Sequence, residues 1–69
     1  MTLLKEYRID SDMVQKEMAD KLGCSLPAYR NYENGKRELP LEILRKFLLM
    51  RARPEDIELA TIIEEIKEK

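Results

Sequence analysis

Apolar residues recur along this chain three and four positions apart, and no stretch alternates strictly between apolar and polar residues. That pattern predicts helices and no strands. Breakers divide it into five segments. The first covers roughly Leu3–Ile9, with Leu3, Leu4 and Tyr7 on one face, and Asp10-Ser11-Asp12 is a polar break. The second covers Gln15–Leu22; Val14, Met18 and Leu22 are four apart, Ala19 sits beside Met18, and Gly23 follows as a helix-ending glycine. Ser25 caps a third helix with Pro27 in its first turn. It runs to about Glu33, buries Tyr29 and Tyr32, and stops at Asn34-Gly35. Pro40 opens a fourth helix, about Leu41–Met50, with Leu41, Leu44, Phe47 and Leu48 expected inward. Pro54 opens the fifth, with Glu55 and Asp56 in its first turn and Lys67 and Lys69 in its last, complementing the helix dipole. Its apolar stripe is Leu59, Ile62, Ile63 and Ile66. The expectation is one compact all-α domain of five helices over residues 1–69.

Composition narrows what such a domain can do. At 69 residues its core is small, so a partner chain is expected to supplement it. There is no histidine and a single cysteine, Cys24. An internal disulfide is excluded, a four-ligand zinc site is not expected, and histidine-dependent catalysis has no residue to use. Gly23 and Gly35 form no phosphate-cradling loop. No catalytic residue, metal or cofactor is therefore expected. The opening residues carry charge where a secretion signal needs an apolar core, and no apolar run is long enough to span a membrane. A cytoplasmic protein with no membrane partner is the expectation.

The net charge of −1 conceals a division. Residues 1–53 hold 11 basic and 8 acidic residues, a net +3, whereas residues 54–69 carry a net −4. A basic middle and an acidic end suit a nucleic-acid-binding face with a separate helix that stays off the nucleic acid.

Residues 15–37 carry the functional signal. They read as helix, tight turn, helix. Ala19 is small enough for a close crossing, Gly23 permits the turn, and Cys24, Tyr29 and Tyr32 seat the second of these helices while its other face stays polar. Such an arrangement projects a short helix outward, as reading a DNA major groove requires.

With Gln15, Ala19, Leu22-Gly23, Ser25, Tyr32 and Glu33-Asn34-Gly35 at their spacing, the chain resembles the phage Cro and repressor type of helix-turn-helix, the Xre family. The likeness spans about Leu4 to Ile57 and implies a lambda-repressor-like fold, double-stranded DNA as partner and a role in transcription. It implies that Gln15, Asn34 and Lys36 contact backbone phosphate, and that Arg8 and Glu33 pair to link the first and third helices. The early base-reading positions depart from the family's polar pattern: they are Leu26, Pro27 and Ala28. Leu26 or Ala28 can touch a thymine methyl, and polar reading shifts to Arg30 and Asn31. Val14 stands where a Ser or Thr cap is usual, with Asp12 as a candidate cap for an earlier start.

Three functions fit this reading. The first is a repressor or regulator acting as a homodimer on a palindromic operator, its seam formed by Leu59, Ile62, Ile63 and Ile66. The second is the antitoxin of a toxin–antitoxin pair, with a small protein partner. The third is a protein-interaction module that has lost DNA binding, which the apolar Leu26-Pro27-Ala28 face would suit.

Overall fold

The computed structural model describes residues 2–67, with side chains for residues 3–66. The described residues form five helices and no strand: α1 (Thr2–Asp10), α2 (Gln15–Leu22), α3 (Leu26–Glu33), α4 (Leu41–Arg51) and α5 (Pro54–Lys67). The fold is all-α, as the periodicity predicts. The backbone divides into two compact units, Met1–Leu39 and Pro40–Lys69.

In the first unit α3 packs on both α2 and α1. Leu4, Met18, Ala19, Leu22, Tyr29 and Tyr32 are its buried apolar residues. Leu3, expected on the same face as Leu4, is exposed.

The three helices of this unit are stopped by the same device. After α1, Asp12 takes a left-handed conformation (φ 57°). The Asp12 amide then donates to the Ile9 carbonyl at 3.1 Å and the Met13 amide to the Arg8 carbonyl at 2.9 Å. After α2, Gly23 (φ 73°) gives the same pair of bonds, from Gly23 to Asp20 and from Cys24 to Ala19. After α3, Gly35 (φ 75°) repeats them, from Gly35 to Tyr32 and from Lys36 to Asn31. Each is a Schellman ending, which occupies helix carbonyls that would otherwise lack a partner. Asp12 therefore ends α1 and does not cap α2. The start of α2 instead uses Glu17, whose Oε1 accepts from the Val14 amide at 3.1 Å. Ser25 caps α3 as expected, its Oγ accepting from the Ala28 amide at 3.2 Å.

In the second unit α4 packs on α5, with Leu48, Ala60 and Ile63 buried together and Leu44 against them. Ile43 and Phe47 are also buried. Leu41, expected inward, is 50% exposed. Apolar residues stand almost all round α4, so periodicity did not select its inner face. Arg51, at the end of α4, forms a two-pronged bond with Asp56, Nε to Oδ2 at 2.9 Å and Nη2 to Oδ1 at 2.6 Å. The Asp56 side chain is buried, and the bonds from Arg51 hold its carboxyl below the usual carboxylate value. This pair clamps the α4–α5 turn. Asp56 was expected only to complement the helix dipole, and the signal for its pairing was the basic Arg51-Ala52-Arg53 run directly before an acidic first turn.

Ala52 sits in that turn at φ 54°, with its amide bonded to the Leu48 carbonyl at 3.0 Å. A left-handed conformation costs an L-residue about 1–2 kcal/mol, and glycine avoids it. Replacing Ala52 with Gly should therefore stabilise the chain by about 0.5–1 kcal/mol, once the added freedom of the unfolded chain is subtracted. Urea unfolding should show a higher midpoint with an unchanged slope; a lower midpoint would mean that the turn does not need this conformation.

Candidate nucleic-acid interface

One face of α3 is committed to the interior. Tyr29, Tyr32 and Glu33 are buried on it. The helical repeat turns Pro27, Arg30 and Asn31 the other way, with Leu26 and Ala28 on its flanks. Pro27 and Arg30 are exposed, and Leu26, Ala28 and Asn31 are half-buried. Asn34 and Lys36 follow in an exposed turn, and Gln15 is half-buried at the start of α2. The Gly35 turn determines where Asn34 and Lys36 point. A Cβ at Gly35 would meet nothing within 4 Å, so glycine is needed there for its backbone angle alone.

A chain of side-chain bonds joins these residues. Arg8 grips Glu33 with two parallel bonds, Nε to Oε2 at 3.0 Å and Nη2 to Oε1 at 3.1 Å, and its Nη1 donates to the Met13 carbonyl at 3.2 Å. Gln15 Nε2 donates to Glu33 Oε1 at 3.3 Å. Arg30 Nε donates to Gln15 Oε1 at 3.2 Å. The N-terminus of α2 and the outer face of α3 are thus connected, through Glu33, to α1. Sequence reasoning anticipated the Arg8–Glu33 pair. It missed the Gln15–Arg30 bond, for which a separation of fifteen residues leaves no local signal.

The electrostatics follow from this chain. Burial alone would raise the Glu33 pKa, but the bonds from Arg8, then the neighbouring Tyr29 hydroxyl and the bond from Gln15, outweigh it and hold the carboxyl below its usual value. The same pairing raises Arg8 further above its ordinary range. The Tyr29 hydroxyl is buried with no well-aligned partner among the described residues, and burial, followed by its interaction with Glu33, pushes its pKa up. Arg37 lies over the Tyr32 ring, 6.0 Å from its centroid, beside Lys36. Among the described residues no cluster of His, Cys, Asp or Glu could hold a metal ion, and no helix is long and apolar enough to cross a membrane.

The expected seam residues all lie on α5. Leu59, Ile62 and Ile66 are exposed at 49%, 45% and 56%, in positions i, i+3 and i+7. Ile63 instead turns inward, against Leu48 and Ala60.

Comparison with known proteins bears on the first unit and the start of the second. The helix-turn-helix family profile matches residues 4–48. A Bacillus subtilis (strain 168) protein named "Uncharacterized HTH-type transcriptional regulator YqaE" is 51% identical over 35 residues. That stretch is 51% of this chain and 30% of the other protein, so the chain spans under a third of the relative it matches. No solved structure matches significantly.

The lowered Glu33 pKa makes a prediction about acid. A carboxyl that is more acidic in the folded chain stabilises it fully above the unfolded value, about 4.3, and loses that contribution as pH falls through the folded value. Replacing Glu33 with Gln should cost about 1–3 kcal/mol at pH 7. It should also make stability less dependent on pH below about 4. Urea midpoints at pH 7 and pH 3 check both; a variant as acid-sensitive as the wild type would free Glu33 from this role.

Proposed function

Because the chain belongs to the helix-turn-helix family of the Cro and phage-repressor (Xre) type, we propose that it is a sequence-specific DNA-binding repressor acting on a palindromic operator as a homodimer. The observation that carries this reading is the bond between Arg30 on α3 and Gln15 at the start of α2. It joins the outer face of a projecting helix to a helix N-terminus, which is suited to phosphate by its unpaired amides and its dipole.

Each part of the surface then has its role. Arg30 reads guanine, Asn31 reads adenine, and Leu26 and Ala28 meet thymine methyl groups. Gln15, Asn34 and Lys36 hold backbone phosphates and set the register of α3 in the groove. The function is binding, not catalysis, and needs no cofactor.

Dimerisation is proposed for α5. Leu59, Ile62 and Ile66 make an exposed apolar row on a net acidic segment, which is poorly suited to DNA and well suited to protein. Ile63 supports that row from beneath, and the exposed Leu49 on α4 adds to the apolar surface of the same unit. Two heads related by a dyad would read half-sites about 34–36 Å apart, and binding by the first would raise the effective concentration of the second. A small protein partner, as in an antitoxin, is the second reading for the same row.

Two measurements test the proposal. Lys36→Ala should weaken binding to specific and random duplexes alike and flatten the dependence of log affinity on log salt by about one unit. Unchanged affinity and slope would remove Lys36 from the interface, and no salt-dependent binding by the wild type would remove DNA altogether. Sedimentation should find a wild-type dimer and a largely monomeric Ile66→Glu variant at micromolar concentration. A wild-type monomer protecting one half-site would leave the DNA-binding head and discard the homodimer.

A further inference from the structure

Gln15 is not simply a polar residue at a helix start. Its amide is oriented by two bonds: Nε2 donates to Glu33 and Oε1 accepts from Arg30. An ionised carboxylate can only accept hydrogen bonds, so the nitrogen must face Glu33 and the oxygen must turn to Arg30. Arg8 holds Glu33 in that ionised state with its two-pronged grip. The consequence falls on Arg30, which is long and exposed and would otherwise sample many rotamers. A side chain ordered before it binds loses less freedom on binding. Because Gln15 engages Nε, both Nη groups remain available as the fork that fits O6 and N7 of a guanine.

We propose that Gln15 is a positioning residue for base reading: it aims Arg30, so the preference for guanine at one base pair depends on Gln15 although Gln15 touches no base. This rests on the reading of α3 as the DNA-reading helix, and it gives Gln15 a task that phosphate contact alone does not. A phosphate contact carries no sequence information, so its loss weakens every site equally. Loss of an aiming contact weakens the site containing the guanine more than its single-pair variants.

The test uses the full chain and a pool of duplex DNA with a randomised core. Sites are selected with the wild type, and affinities for the recovered site and its single-pair variants are compared with those of Arg30→Ala, Gln15→Ala and Gln15→Lys. Arg30→Ala should lower the preference at one guanine pair by about tenfold or more. Gln15→Ala should lower the preference at that same pair by about threefold or more, and combining the two should add little to Arg30→Ala alone. Gln15→Lys is the sharper probe. Lysine can pair with Glu33 and attract phosphate but offers no acceptor to Arg30, so the guanine preference should fall whatever the change in overall affinity. Intact preference in both Gln15 variants, whatever happens to total affinity, would overturn the inference and leave the DNA-binding reading standing. If the wild type enriches no sequence, or Arg30→Ala alters no single pair, the inference falls together with the base-reading assignment beneath it.

Discussion

Glu33 carries a charge where charge is costly, and the first unit is arranged to make that tolerable. Its side chain is only 4% exposed, a burial at which a lone carboxylate would protonate. Arg8 meets it with a two-pronged bond from α1, and Gln15 adds a bond from α2. Three helices therefore converge on one carboxylate. The directionality of these bonds matters as much as their strength, because hydrophobic packing fixes which faces meet but only weakly fixes how far one helix slides along another. A forked arginine–carboxylate pair has one good geometry. The register of α3 against α1, and with it the direction of Arg30, follows from that geometry.

The helix endings complete the constraint. Three left-handed residues, Asp12, Gly23 and Gly35, stop α1, α2 and α3 within a residue or two of their last turns. Short connections follow, so little slack remains between the elements that hold Arg8, Gln15 and Glu33. The second unit applies the same logic with different chemistry. Its turn is closed by Arg51 and the buried Asp56, and Arg51 also lies 5.2 Å from the centroid of the Phe47 ring. Each unit thus holds a forked arginine–carboxylate pair, between helices in the first and across a turn in the second, and in each the arginine is half-buried while the carboxylate is more deeply buried.

What the sequence revealed was mostly local. Gln15–Leu22, the Ser25 cap, Pro27 in the first turn and the Gly23 and Gly35 endings are all short-range signals, and each was legible. Tyr29 and Tyr32 were legible as buried because α3 has one clear apolar row. On α4 the rule failed at Leu41, where too many apolar residues offered two faces and only packing against α5 could choose. Asp12, although of a type that tolerates the left-handed conformation, was read as a candidate cap for α2, and Ala52 was hidden because alanine does not announce a left-handed turn. Of the interface, the Arg8–Glu33 pair came from family resemblance, and periodicity alone would not have found it. The Gln15–Arg30 bond came from neither, since it depends on the crossing of α2 and α3.

The proposed DNA-contacting surface comprises the outer row of α3, the start of α2 and the turn after α3. Nuclear magnetic resonance of the full chain, titrated with a duplex recovered from a random pool, tests it most directly. The largest shifts should fall on Gln15 and Lys16, on Arg30 and Asn31, and on residues 34–36, with side-chain changes at the Gln15 amide and the Arg30 guanidinium. Absence of change at these positions, or change confined to residues 40–67, would contradict the claim.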